Sequence, residues 1–172
     1  MQTSYSINTP AFAYPGQVAN LMTAQFQSAL AVAAPIPYGV LVVRDLANSS
    51  GVMQAGKVPA AGGDVAAGKI LGIAVADQAR AQDPSVAVAQ YPQNAAVPCI
   101  KFGEVVVQPE VDVTVAAGDP VYARVTANGA GKLQLGALRN DADDGDAILV
   151  PGAEFKSAGT AGAFCILDII AN

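Results

Sequence analysis

The chain has 172 residues, of which 52% are hydrophobic and only 13% charged, and its net charge is −5. This length supports one compact domain. The negative net charge, without a run of Lys or Arg, argues against a nucleic-acid partner. The absence of His removes the commonest catalytic base. The most apolar stretch, residues 29–43, is broken by Pro35, Pro37 and Gly39, so we expect no membrane span, and the uncharged N-terminus predicts a cytosolic product without a secretory signal.

The first 35 residues are rich in Gln and Ala, and no charged residue occurs before Arg44. Residues at helical spacing, all apolar except Gln25, would allow an amphipathic helix within residues 17–34; the positions are Val18, Leu21, Met22, Gln25, Phe26, Ala29, Leu30 and Ala33. The flanking Tyr14-Pro15-Gly16 and Pro35-Ile36-Pro37 favour extended or turn backbone instead. We therefore predict that residues 1–35 form an ordered, extended arm that packs on the domain or on a neighbour, with the helix as the alternative.

From residue 36 onward, short runs rich in Val and Ile alternate with Gly, Pro, Asn and Asp, which is typical of strands and turns in a sandwich or barrel. Eight strands are predicted, at residues 39–44, 69–76, 100–107, 111–115, 120–126, 132–139, 147–149 and 163–170. The predicted fold is therefore all-β: a single β-sandwich or barrel-like domain over residues 36–172, with the N-terminal arm and possibly one short helix.

A three-strand meander is predicted between Val111 and Leu138. In residues 111–115 Val alternates with Asp and Thr, which indicates a half-buried strand. The following Gly118-Asp119-Pro120 is turn chemistry that leads into residues 120–126. Asn128-Gly129 is a strong signal for a type I′ hairpin turn, because both residues tolerate the left-handed conformation.

A partial phosphate-loop pattern occurs in Gly63-Asp64-Val65-Ala66-Ala67-Gly68-Lys69. Ile70 stands where a Ser or Thr hydroxyl would bind magnesium, and a strand-like run follows instead of a helix. We interpret the stretch as a turn rather than as a nucleotide site.

The only acidic cluster is Asp141-Ala142-Asp143-Asp144-Gly145-Asp146, which superficially resembles a calcium loop. Glycine stands at the fifth rather than the sixth place, and no Glu follows at the twelfth. We predict a solvated turn whose Asp and Gly residues adopt unusual φ angles, with calcium binding as the alternative.

Two other sets of residues receive structural interpretations. Cys99 and Cys165 lie in apolar segments and are expected to be buried free thiols. Scattered charges that could pair or line a cleft are expected to be mostly solvated; they are Arg80, Asp83, Lys101 and Glu104. No catalytic residue, cofactor site or metal site is predicted.

Five stretches, taken in order, give the chain a resemblance to the phage structural cement protein family, a group of capsid decoration proteins. They are Tyr14-Pro15-Gly16-Gln17, Ile36-Pro37-Tyr38-Gly39, Gly72-Ile73-Ala74-Val75-Ala76-Asp77-Gln78, Ala117-Gly118-Asp119-Pro120-Val121-Tyr122-Ala123-Arg124-Val125 and Ile148-Leu149-Val150-Pro151-Gly152-Ala153-Glu154-Phe155. Each is a turn beside a strand, so their order and spacing, rather than any one of them, carry the likeness.

The resemblance implies a non-enzymatic protein on the outside of the virion, made in the bacterial host's cytoplasm. Its implied partners are the major capsid protein, copies of itself in a dimer or trimer, and neighbouring cement subunits. Sparse charge also predicts a surface that a partner covers. The arm supplies candidate contact residues, because aromatic side chains concentrate in interfaces; we select Tyr5, Phe12, Tyr14 and Pro15. A tail or fibre module, or a carbohydrate-binding domain, is the alternative function.

Overall fold

The computed structural model describes residues 13–48, 54–77, 89–129 and 132–171, and nearly all of its regular structure is β-strand. The strands are β1 (Gln25–Ala31), β2 (Ile36–Pro37), β3 (Leu41–Arg44), β4 (Ala55–Lys57), β5 (Ile70–Ala74), β6 (Gln90–Tyr91), β7 (Ala96–Val107), β8 (Pro120–Arg124), β9 (Leu138–Arg139), β10 (Ala147–Phe155) and β11 (Cys165–Ile170). Two single turns of 3-10 helix lie at Gly62–Asp64 and Asp143–Gly145. The predicted all-β class is confirmed.

Nine strands form one sheet in the order β1-β4-β3-β5-β7-β11-β10-β8-β9, and β1 also pairs with β7. That extra pairing closes β1, β4, β3, β5 and β7 into a small ring. Its interior contains small side chains: a Cβ at Gly56 would lie 2.8 Å from the Cβ of Ala29 and 3.1 Å from Val42. Gly56 and Ala29 are therefore needed where these strands approach closely, while larger side chains such as Leu71 occupy other parts of the interior.

A second and larger core lies on the other side of β3 and β5, beneath β7, β11, β10 and β8. Ile70 and Ile73 of β5 face this core, whereas Leu71 and Ala74 face the ring. The alternation slips by one residue at Gly72, where φ is +126° and the pairing with β3 shifts register. The two faces of β5 thus contact the two cores, and the β-bulge turns Ile73 toward the larger core and Ala74 toward the ring.

The N-terminal segment runs along β7 as extended chain. The amide of Gly16 donates to Val106 (2.8 Å) and that of Ala19 donates to Glu104 (2.9 Å), while β1 pairs antiparallel with residues 96–102. The helical alternative for residues 17–34 is therefore wrong, because pairing with the β7 edge satisfies the backbone that the helix would have satisfied internally. The described part of the predicted arm packs on its own domain; the domain division at residue 35 stays a prediction.

The predicted strand at residues 111–115 is wrong. β8 already pairs with β10 on one side and β9 on the other, so no edge is left for a third strand. Val115 makes only an isolated bridge with Gly159, although Val113 and Val115 are buried as the alternation suggested.

The type I′ turn at Asn128-Gly129 is also wrong. The bridge joins Asn128 to Lys132, with three residues between them, and neither Asn128 nor Gly129 has a positive φ. The strand predicted at residues 132–139 shrinks to β9, since residues 133–137 form a turn and irregular backbone.

Candidate interaction surface

Three of the five quoted stretches meet at one backbone junction. Gly16 has φ +80°, and a Cβ there would lie 2.6 Å from the carbonyl oxygen of Ala74 and 3.1 Å from the amide nitrogen of Gly39. The amide of Gly39 donates to Ala74 (2.9 Å), and that of Ala76 donates to Gly16 (2.9 Å). Only glycine combines this positive φ with so close an approach. These stretches therefore specify a junction between the N-terminal segment and the ring.

Two buried tyrosines stabilise the same junction. The rings of Tyr38 and Tyr91 meet edge to face with their centroids 4.9 Å apart. The hydroxyl of Tyr91 donates to the carbonyl of Val75 (2.7 Å), and that of Tyr38 donates to the carbonyl of Asp77 (3.3 Å). Each ring thus contributes apolar burial while its hydroxyl satisfies the backbone beyond β5.

The other two stretches also meet. The amide of Gly118 donates to Phe155 (2.7 Å), and that of Phe155 donates to Asp119 (3.0 Å). The amide of Ala116 and the side chain of Asn140 donate to the carboxylate of Asp119, and they lower its pKa. The contacts described in all five stretches therefore fix backbone segments and turns relative to one another.

Two of the predicted contact residues fall in the described chain. Tyr14 and Pro15 are both partly buried, and Pro15 lines a cavity of about 340 Å³ beside Tyr38. A second cavity of about 330 Å³ shares three of its lining residues, and the two neighbouring cavities are together called the trough; the shared residues are Gln108, Gln134 and Ala137. Tyr5 and Phe12 lie outside the described residues.

A buried ion cluster, which the sequence analysis missed, lies beside the trough. Arg124 on β8 is completely buried, and Arg139 on β9 is 2% exposed. Glu110 bridges them: its carboxylate accepts from Nε and Nη2 of Arg124 and, at 2.6 Å, from Nη1 of Arg139. This bidentate contact raises the pKa of Arg124. The sequence feature that could have indicated this cluster is the position of Arg124 within the apolar run Val-Tyr-Ala-Arg-Val.

Asp143 closes the cluster on its solvent side. Its carboxylate lies 2.8 Å from Nζ of Lys132, 2.5 Å from Nη2 of Arg124 and 3.1 Å from Nη1 of Arg139. The hydrogen bonds from Lys132 and Arg124 lower the pKa of Asp143 to about 2. Lys132 also contacts Asp112 (2.8 Å), whose pKa falls for the same reason.

The acidic turn is partly as predicted. Asp143 and Asp144 have φ of 42° and 57°, and Gly145 has 99°, which confirms the unusual backbone. The prediction that the turn is solvated is wrong for Asp143, because cationic side chains surround its carboxylate. Within the described ranges, no group of His, Cys, Asp and Glu is arranged to hold a metal ion.

The glycine-rich loop of residues 63–69 is a turn, as interpreted. Nζ of Lys69 donates to the carbonyl of Gly63 (2.7 Å), and β5 begins directly afterwards at Ile70. The lysine therefore closes its own loop.

Both cysteines are buried free thiols, as predicted, and burial raises the pKa of each to about 12. Of the scattered charges, Lys101 and Glu104 are partly buried, and Arg80 and Asp83 fall outside the described residues.

Large apolar side chains are exposed in several places of the described chain. They are Leu21, Met22, Phe26, Leu46, Phe102, Val111, Leu133, Leu149 and Ile170. Val111 and Leu133 line the trough, whereas Leu21, Met22, Phe26, Phe102 and Ile170 belong to β1, β7, β11 and the turn before β1.

Comparisons with known proteins agree with this architecture. A chain of a solved structure titled "The capsid of Myoviridae Phage XM1" superposes with a TM-score of 0.67 at 15% identity, covering 99% of each chain. No curated protein matches. No helix in the described part of the chain is long and apolar enough to cross a membrane. Residues 1–170 match the family described as structural cement protein. The chain therefore belongs to the phage structural cement protein family, and its role in the phage capsid is structural.

Proposed function

We propose that this protein binds the outer surface of an assembled phage capsid and stabilises the head by bridging major capsid subunits, without catalysing a reaction. The observation that carries the proposal is the family match over residues 1–170. The architecture supports it. Two well-buried cores share β3 and β5, and we propose that this body holds two capsid subunits at a defined separation.

The stabilisation follows from repetition and from selectivity for the assembled state. Each copy makes modest contacts, but simultaneous contacts to several subunits raise the effective affinity. A ligand that binds only the assembled shell shifts the assembly equilibrium toward that shell by mass action. We propose that the protein acts as a dimer or trimer beside neighbouring cement subunits.

We also propose that the N-terminal segment contributes to capsid binding. Tyr5, Phe12, Tyr14 and Pro15 are its contact residues, and Pro15 places the segment at the rim of the trough. No charged side chain occurs before residue 44, so burial of this segment's side chains against a partner requires no desolvation of a charged side chain.

The direct test is to mix the purified protein with undecorated heads, followed by sedimentation and imaging. We expect the protein to co-sediment at a fixed stoichiometry and to raise the temperature at which heads disrupt. Protein that stays in the supernatant at all concentrations would end the proposal.

A truncation tests the arm separately. Deleting residues 1–12 leaves the pairing of Gly16 and Ala19 with β7 intact, so the body should fold and bind heads more weakly. Undiminished binding by a folded truncation would remove the arm from the proposal while leaving capsid binding in place.

A further inference from the structure

A protruding turn interrupts the N-terminal segment where it runs along β7. Residues 16–19 pair with Glu104 and Val106, and β1 pairs with residues 96–102, so both flanks are held by the same strand. Between them, residues 20–24 leave the strand and pass over Gly103, where a Cβ would lie 3.1 Å from the Cα of Ala24. The side chain of Asn20 accepts from the amide of Met22 (3.1 Å). These contacts fix the conformation of the turn.

This turn presents two apolar side chains to solvent. Leu21 is 74% exposed and Met22 is 97% exposed. Phe102 and Ile170 lie directly opposite each other on β7 and β11, so their exposed side chains share one face of the sheet. Phe26 on β1 is also exposed, but it lies opposite the buried Ile100 after a register shift, so it does not belong to this group. Soluble proteins rarely group apolar side chains in this way unless a partner covers them.

A row of carboxylates follows on the same face. Glu104, Asp168 and Glu154 are in register across β7, β11 and β10. Like charges directly opposite each other destabilise a sheet, so this row has a folding cost. Lys156 contacts Glu154 (2.8 Å) and Asp168 (3.9 Å), which offsets only part of the negative charge.

We propose that Leu21 and Met22 form an anchor that inserts into an apolar socket on the assembled capsid, with Lys or Arg side chains of the capsid facing the row of Glu104, Asp168 and Glu154. The inference rests on the proposed function and adds a second capsid-contact site to the one proposed for the N-terminal segment. Methionine suits such an anchor, because its flexible thioether adapts to a pocket and because Met is enriched in interfaces.

The row of carboxylates indicates which kind of partner fits this surface. A second copy of this chain carries the same carboxylates and a net charge of −5, so a symmetric contact through this face would place negative charge against negative charge. The turn begins after Ala19, whose amide donates to Glu104, so a capsid surface with basic side chains beside an apolar socket is complementary to both the turn and the neighbouring row.

The first test replaces Leu21 and Met22 by Ser in the full-length chain and measures binding to undecorated heads. We expect affinity per subunit to fall at least about tenfold, as for a central interface anchor. The control replaces Leu46 by Ser, since this residue is 64% exposed and follows β3, away from β7, β11 and β10, and it should change affinity less than about twofold. Equal binding by the anchor variant and wild type, with both folded, would refute the inference.

The second test addresses the charge. The double variant Asp168→Asn, Glu154→Gln should bind heads more weakly and with a smaller dependence on salt. The control Asp144→Asn removes an exposed carboxylate on the side of the ion cluster, and it should change neither the affinity nor its salt dependence. An unchanged salt dependence in the first variant would refute the basic partner.

Sedimentation velocity of the protein alone tests whether a second copy of this chain, rather than the capsid, covers the turn. If the anchor substitutions dissociate an oligomer and leave capsid binding intact, the partner assignment is wrong. If wild type itself does not bind heads, the proposed function fails, and the inference fails with it.

Discussion

Replacing Glu110 by Gln tests whether the buried ion cluster stabilises the fold. The substitution keeps the volume of the side chain but removes the charge shared by Arg124 and Arg139, which are 0% and 2% exposed. Breaking a buried ion pair from one side typically costs about 3–5 kcal/mol. Arg124 keeps Asp143 at 2.5 Å and Arg139 keeps Asp141 at 2.5 Å, so we expect a loss near the lower limit, about 3 kcal/mol in the free energy of unfolding.

Urea unfolding followed by circular dichroism measures this loss. For a protein of this size the midpoint should fall by about 1–2 M with an unchanged slope. The control is Asp141→Asn, because Asp141 contacts the same Arg139 but is 58% exposed; it should cost less than about 1 kcal/mol. If both variants lose the same stability, burial does not govern the strength of these pairs and the reasoning is wrong.

Three further predictions concern pH, backbone and thiols. The pKa of Asp143 is lowered to about 2 in the folded state, so this carboxylate contributes fully to the free energy of unfolding above the ordinary carboxyl pKa of about 4, and the contribution is lost as pH falls through about 2. Asp143→Asn, which tolerates the same positive φ, should therefore flatten the acid side of a plot of stability against pH. An unchanged acid side would contradict this. Gly72→Ala should lower the free energy of unfolding, measured in urea, by about 3–5 kcal/mol, because its Cβ would lie 2.0 Å from the carbonyl oxygen of Ile100 at φ +126°. In the control Gly63→Ala the new Cβ would meet nothing within 4 Å, and stability should change by less than about 0.5 kcal/mol. Similar losses in both variants would refute the packing argument. Cys99 and Cys165, whose thiol pKa values burial raises to about 12, should resist a thiol reagent at about pH 8 until the protein unfolds, and rapid labelling of native protein would disprove their burial.

Local chemistry explains which expectations were correct. The sequence alone indicated the all-β class, most strands after residue 36 and the unusual backbone of the acidic turn, because these depend on residues within a few positions of one another. The five family stretches were recognisable for the same reason. Each is a turn beside a strand, such as Gly118-Asp119-Pro120, and its glycine is required by the backbone geometry at that point.

Strand pairing and charge burial required the tertiary structure. Residues 25–31 have helical spacing, yet the free edge of β7 makes them a strand; residues 111–115 alternate as a strand should, yet both edges of β8 are occupied. Arg124 is buried because Glu110 and Asp143 arrive from 14 and 19 residues away. Composition and short motifs therefore determined the class and the family. Which edges meet, and which charges and apolar side chains remain exposed, was decided by contacts between distant segments, whose free energies no local pattern contains.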